Sequence, residues 1–345
     1  MSIRSPVAAI TVDGTELTAA QAGLSAVVVD VGLGRAHDRA RMALGWASPV
    51  AGLQPGASVE VALGYDDALE TVLTGDVDEV SRRAWGLVVD ALARPARLTG
   101  ARVGRSFVGL PAGNIVRDLI AEANVDAGEV DSGPTVAAFH VDERAHIWAH
   151  LVHLSRIAFS ELSTAGNGDL NFRLSPGAEG GLGGLAGAAA GAVSGAASSL
   201  LGIGGGRRFG AEIHEMAVNA AGALTPAPTV APFGAASELG PGSWHVLVKD
   251  PVGASPAGSV FIPASLRDRD ASAQLEGSLR AAAERAATAA WVTVTGDPTI
   301  RAGDTVQLTE LPGGGDISVR VTRLEHRFSR TAGFVTRIEA EGAPT

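Results

Sequence analysis

Three histidines, His146, His150 and His153, form the one grouping in this chain whose types and spacing could do chemistry. On a helix, spacings of four and three line imidazoles along one stripe, and three imidazoles can hold a zinc ion with a fourth position left for water. Convergence is the obstacle, because neighbouring positions of a single helix splay apart unless a second element closes the site. Residue 147 is Ile rather than Glu, so the His-Glu-x-x-His pattern of metal-dependent hydrolases is absent. The three are metal candidates only, and the expectation is a polar border on an amphipathic helix.

Other groupings assemble less. Gly32-Leu33-Gly34 and Gly204-Gly205-Gly206 are not followed by Lys-Ser/Thr, so neither opens a phosphate loop. No Gly-x-Ser-x-Gly elbow presents a serine. Asp66-Asp67 reads as a turn. Asp76, Asp78 and Glu79 read as a solvated strand edge rather than a calcium loop, and Arg267 to Asp270 as a solvated helix start. No catalytic or cofactor-binding residue is assigned and no cofactor is expected. Cysteine is absent, which removes disulfides and thiolate sites. Lys+Arg of 27 against Asp+Glu of 37 gives a net charge of -10, which argues against a general nucleic-acid binder and against an anionic membrane surface. Gly180 to Gly206 is uncharged but built mainly of Gly and Ala, so it reads as a flexible insertion rather than a membrane span.

The elements that must position these residues are mostly strands. Ala8, Ile10 and Val12 alternate and stop at Asp13-Gly14; Val59, Val61 and Leu63 alternate again, as do Trp85, Leu87, Val89 and Ala91. Leu24 to Val31 is a nearly continuous apolar run, expected of a strand covered on both faces. Gly75-Asp76 predicts a bulge or bend. The middle is different. Helices are predicted over Pro111–Asn124, with Pro111 in the first turn, and over Glu143–Phe159, with Asp142 as N-cap. Asn167-Gly168 predicts a hairpin. Strands are expected near Ala211–Val218 and Trp244–Val248, and a helix over Leu266–Ala290. In the last part Ile317, Val319 and Val321 alternate in one frame and Leu324, His326 and Phe328 in the other, which predicts a bulge at Thr322-Arg323. Phe334, Thr336 and Ile338 share a face of the final strand. The fold class is α+β, mainly β. The expected division is a first antiparallel barrel over 1–100, an α/β insert over 101–176, the Gly/Ala-rich insertion over 177–210, and a second barrel with an embedded helix over 211–345.

Ordered stretches of the chain resemble the phage late control protein D family, the baseplate hubs of contractile tails that also form the N-terminal part of VgrG spikes. The stretches are Leu73 to Val80 around Gly75 and Val77; Ser106-Phe107 with Asn114 to Ile120; Val141 to Arg144 with Trp148, Leu151 and Leu154; and Gly166 to Phe172 around Gly168. Near the end, Gly296-Asp297-Pro298, Arg301 to Val306 with Gly303 and Asp304, Val321 to Ser329 with His326 and Phe328, and Gly333-Phe334-Val335-Thr336 continue the match. Ile157-Ala158-Phe159 departs from it where a glycine is expected after the helix. The Gly180–Gly206 insertion departs as well.

The resemblance implies two tail-tube-like barrels per subunit, a homotrimer, and a pseudo-sixfold ring that adapts a sixfold inner tube to a threefold spike. It also implies that His326 and Arg327 are structural. The expected partners are the inner tube protein, other baseplate components and, since the chain ends just after the second β region, a separate spike protein. Cargo in the lumen is allowed for, and membrane contact is not expected. Assembly is expected in a bacterial cytoplasm, within an injection particle or a phage virion tail. The alternative is a tail-tip hydrolase, metal-dependent or wall-degrading, which requires the three histidines or other acids to converge.

Overall fold

Alternation of apolar and polar residues makes most of this chain sheet. The computed structural model describes residues 5–66, 68–176, 207–208, 210–220, 231–236, 246–249, 259–261, 278, 281–312 and 314–343. The first region contains β1 (Pro6–Val12), β2 (Thr15–Thr18), β3 (Leu24–Gly32), β4 (Arg39–Leu44), β5 (Ser58–Tyr65), β6 (Ala68–Arg83) and β7 (Gly86–Ala93). The middle region contains β8 (Arg105–Pro111), α1 (Ala112–Ala121), β9 (Ala127–Val130), β10 (Thr135–Val141), α2 (Ile147–Ile157), β11 (Ser160–Thr164) and β12 (Leu170–Leu174). The last contains β13 (Arg207–Arg208), β14 (Ile213–Ala220), β15 (Ala231–Ala236), β16 (Val246–Lys249), β17 (Ser259–Phe261), β18 (Thr288–Thr295), β19 (Thr305–Thr309), β20 (Ile317–Ser329) and β21 (Gly333–Gly342).

The first and last regions meet in one sheet of 13 strands, ordered β14-β18-β21-β20-β3-β4-β7-β6-β5-β1-β2, with β19 on β20 and β13 on β19. The join is the antiparallel pairing of β20 with β3, from Arg323 opposite Gly32 to Ser329 opposite Ala26. The two β regions therefore stand edge to edge rather than apart. Each half still wraps its own apolar core. Ile10, Leu24, Val27, Met42, Val61, Leu63 and Leu87 fill the first; Val292, Val294, Leu308, Val319, Val321 and Ile338 fill the second. The middle region has a third core, built by Ile115, Leu119, Ile147, Leu151, Leu154 and Phe172 from α1, α2 and β12. Its sheets are β8 with β10, and β11-β12-β9.

Several local expectations are met. The hairpin at Asn167-Gly168 joins β11 to β12, and the β20–β21 register slips between Val321 and Arg323 where two alternation frames collide. Phe334, Thr336 and Ile338 are all buried on β21.

Others are corrected. β6 runs unbroken through Gly75-Asp76; its slips lie near Val72 and between Val77 and Glu79. Gly75 serves close approach instead, since a Cβ there would sit 1.9 Å from the Leu92 carbonyl oxygen. β3 is covered unevenly: Val27 and Val29 are buried, Val28 and Val31 half-buried, and Ser25 exposed. Trp85 lies in the β6–β7 turn and is exposed, so the alternation begins at Leu87. Pro111 caps α1 rather than entering its first turn. α2 begins at Ile147, not Glu143, because the backbone N–H and guanidinium of Arg144 turn back onto the Asp142 carboxylate and close a separate turn. Of the helix expected over Leu266–Ala290, residues 281–286 are helical, but Thr288–Ala290 already belong to β18. Pairing with β14 on one side and β21 on the other overrides the helix preference of alanine there. Residues 262–277 and the Gly180–Gly206 insertion lie outside the described residues, as does Trp244, so the strand expected from Trp244 is described from Val246. No helix among the described residues is long and apolar enough to cross a membrane.

Candidate functional site

The three histidines are spent locally. The His146 ring caps α2, its Nδ1 accepting the Ala149 N–H at 3.0 Å. His150 donates from Nε2 to the Asp142 carbonyl oxygen at 3.0 Å. His153 stacks on Phe139, with ring centroids 6.0 Å apart. They point to a cap, a loop and an aromatic face. No group of three or more His, Cys, Asp or Glu side chains able to hold a metal ion occurs among the described residues.

What the fold does bring together is the set of motif residues on β20 and β21. Phe328 pairs with Phe334, and His326 with Thr336. The His326 ring is 1% exposed, lies 2.9 Å from Thr336 Oγ1 through Nδ1, and tilts against Phe334 at 5.9 Å. Thr336 Oγ1 in turn accepts the Asp297 N–H at 3.0 Å. Burial, reinforced by the nearby positive charge of Arg301, drops the imidazole to about 3. It is therefore neutral at physiological pH, and without solvent access it cannot exchange protons with a substrate. Gly296 completes the packing: a Cβ there would fall 2.2 Å from the Phe334 ring.

This hairpin straddles two cores. Phe328 and Phe334 pack into the first region's core, whereas Val319, Val321, Leu324, Ile338 and Ala340 pack into the last region's. Along β20 the change of core falls between Leu324 and Phe328, beyond the slip at Val321/Arg323. Flanking the join, Asp30 accepts from Arg35 and Arg323, with Nη1 and Nε at 2.8 Å. Burial raises the Asp30 carboxyl, but hydrogen bonds from the two guanidinium groups win and hold it at about 2.

The remaining motif residues lie in the cores, in turns or at contacts between regions. Val77 is buried in the first core and Trp148 in the middle one. Gly168 and Gly303 take left-handed turn conformations, as does Gly333 between β20 and β21. The turn carrying Gly168 docks on β6, where Thr74 Oγ1 donates to the Gly166 carbonyl at 2.9 Å. Asp304 is exposed and accepts the Arg301 N–H at 2.7 Å, closing the turn before β19. A buried guanidinium, Arg320, reaches from β20 to Glu161 on β11 and to Glu341 on β21, the latter at 3.2 Å; Arg285 meets the same Glu341 at 2.8 Å. Phe159, where glycine was expected after α2, holds φ of 53° and is buried nonetheless. Burial of its ring offsets the left-handed backbone.

Two charged features escaped the sequence reading. Asp38 is fully buried between the first and middle regions. Its Oδ1 accepts the Gly32 N–H at 3.0 Å, while Oδ2 and the adjacent Thr164 Oγ1 close no hydrogen bond of good geometry. The Arg320 network was missed as well. Arg320 carries no local signal because Glu161 and Glu341 lie far along the chain, and at Asp38 the nearby Gly32 does not announce the packing of Thr164 beside the carboxylate. As a whole the arrangement is a set of joints between the three regions.

The fold is that of solved tail proteins. The tail protein of Neisseria meningitidis MC58 aligns with a TM-score of 0.66 at 12% identity, over 98% of this chain and 96% of that one. The 43 kDa tail protein of prophage MuSo2 from Shewanella oneidensis aligns with a TM-score of 0.61 at 12% identity, over 97% of each chain. The E. coli c3393 protein, a component of the type VI secretion system similar in structure to the T4 bacteriophage tail proteins gp27 and gp5, aligns at 0.54 and 10% identity over 93% of this chain and 73% of that one. No protein-family model and no curated protein sequence matches the chain.

Proposed function

We propose that this chain is a non-enzymatic structural component of a phage tail or contractile injection particle, and specifically a baseplate hub. Three copies would close a ring that adapts a sixfold inner tube to a threefold spike supplied by a separate protein. Assembly would take place in a bacterial cytoplasm, with the tube protein and other baseplate components as further partners. The observation that carries this reading is the end-to-end agreement of the fold with tail proteins, over nearly the whole of both chains. The order of motifs resembling late control protein D supports the finer assignment. The proposed division is 1–100, 101–176, 177–210 and 211–345. Three separate apolar cores support it, although Phe328 and Phe334 cross from the last part into the first.

Edge strands favour assembly. Among the described residues the sheet order ends at β2 and β14, and edge strands are commonly closed by neighbouring subunits. The hydrolase alternative gains nothing from His146, His150 and His153, each of which is engaged separately. The test is electron microscopy and mass measurement of the purified chain with its candidate spike. A threefold ring with an open axis is the expected result, and a monomer in both conditions would overturn the reading.

A further inference from the structure

Most large apolar side chains among the described residues are covered, but Trp46 is 50% exposed and Trp85 is 60% exposed. Both lie at one end of the first region. Trp46 follows β4, and Trp85 sits in the β6–β7 turn. Trp46 Nε1 donates to the Ala84 carbonyl at 3.2 Å, which fixes this indole against the turn that carries the other. Gly86 tightens the same junction. Its φ is 153°, and a Cβ there would meet the Leu44 carbonyl oxygen at 2.1 Å, so the turn is pressed onto the end of β4. Trp46 is thus held before any partner arrives, and docking loses little side-chain entropy.

The charge of this tip is opposite to that of the chain. β6 ends in Arg82 and Arg83, both exposed and neither in an ion pair among the described residues. Residues 44–52 and 81–87 contain no Asp or Glu, in a chain of net charge -10. Tryptophan and arginine are the side chains that most often dominate binding energy at protein interfaces. We propose that the tip formed by Trp46, Trp85, Arg82 and Arg83 docks an acidic segment of a different protein. That segment would set carboxylates against the arginines and an apolar side chain against the indoles. Opposite charge selects this occupant. A second copy meeting this tip through the same face would set Arg82 and Arg83 against their own like charges. Single-stranded nucleic acid also stacks on indoles, but two cations release few counterions and the rest of the chain repels phosphate. The surface belongs to one chain, so the proposal stands apart from the ring.

The test is fluorescence anisotropy on the full chain with a labelled peptide of alternating Glu and Leu, a Lys/Leu counterpart and an oligo-dT strand. The Glu/Leu peptide should bind, more weakly at high salt. It should lose about tenfold in affinity in Trp85→Ala and in the double variant Arg82→Glu/Arg83→Glu, the loss of one to two kcal/mol-scale contacts. The charge-reversed variant should gain the Lys/Leu peptide instead. Circular dichroism melting checks that both variants stay folded, which their exposed positions favour. Failure of the Glu/Leu peptide to bind, equal binding by folded variants, tighter binding of oligo-dT, or a wild-type dimer dissolved by Trp85→Ala each overturns the proposal.

Discussion

Replacing Asp38 by Asn should remove a defined part of the pH dependence of stability. The carboxyl is 0% exposed, and burial pushes it from 3.8 up to about 7, against smaller lowering effects from Thr164, the Gly32 N–H and Arg35; Asp30 adds to the rise. Between about 3.8 and 7 the unfolded chain has released this proton and the native chain still holds it. Stability from this group therefore falls as pH rises through that window and is constant above it. At 1.36 kcal/mol per pKa unit the full effect is roughly 4 kcal/mol. Asparagine keeps an acceptor for the Gly32 N–H, offers an N–H towards Thr164 Oγ1 and cannot ionise. The difference in unfolding free energy between Asp38→Asn and wild type should be near zero at acid pH. It should grow to about 3–4 kcal/mol in favour of the variant by alkaline pH. Urea denaturation at a series of pH values, followed by circular dichroism, measures it. Other titrations, such as that of His326, act in both proteins and cancel in the difference. A difference that stays constant with pH would refute the buried-proton argument.

His326 acts with the opposite sign. Its native value of about 3 lies below the unfolded 6.5, so stability is lost as pH falls through that interval, and this loss should stand out in the Asp38→Asn background. A native state of that variant that strengthens steadily from pH 6.5 to 4 would contradict the assignment. Arg320→Met should destabilise by about 3 kcal/mol in urea denaturation, because Glu161 and Glu341 lose a partner whose side chain is 6% exposed. High salt should leave most of that loss in place, whereas a salt-erased or negligible loss would reduce the network to a surface pair.

Much of the fold was legible because its signals are local. Alternation located the strands around Val59 and Phe334, Asn167-Gly168 announced its hairpin, and two colliding frames announced the slip after Val321. Expectations failed where distant partners decide. Thr288 to Ala290 continue an alanine-rich stretch, yet they pair on both edges and become strand. Gly75 resembles a strand breaker, but the nearby Leu92 carbonyl gives it another purpose. His146 displaces Asp142 as the α2 cap because Arg144 has already engaged that carboxylate. For the site, the motif order gave no indication of the contacts its residues make. Nothing near Asp30 or Asp38 in sequence reveals Arg323 or Thr164, which lie far along the chain.

The joining of β20 to β3 gives the stretch from Val321 to Thr336 its structural work. Seven register pairs span that seam, and the hairpin crossing it sends Phe328 and Phe334 into one core and Leu324 and Ile338 into the other. A substitution that shifts β20 by one residue would turn both sets outward together, since side chains alternate along a strand. Only a sequence that fixes register at the slip, fills the seam with the neutral His326–Thr336 pair and leaves room at Gly296 for Phe334 satisfies both cores at once. The two β regions are thus coupled through one hairpin. That coupling suits a subunit that must present two similar walls to one ring, in keeping with the proposed hub.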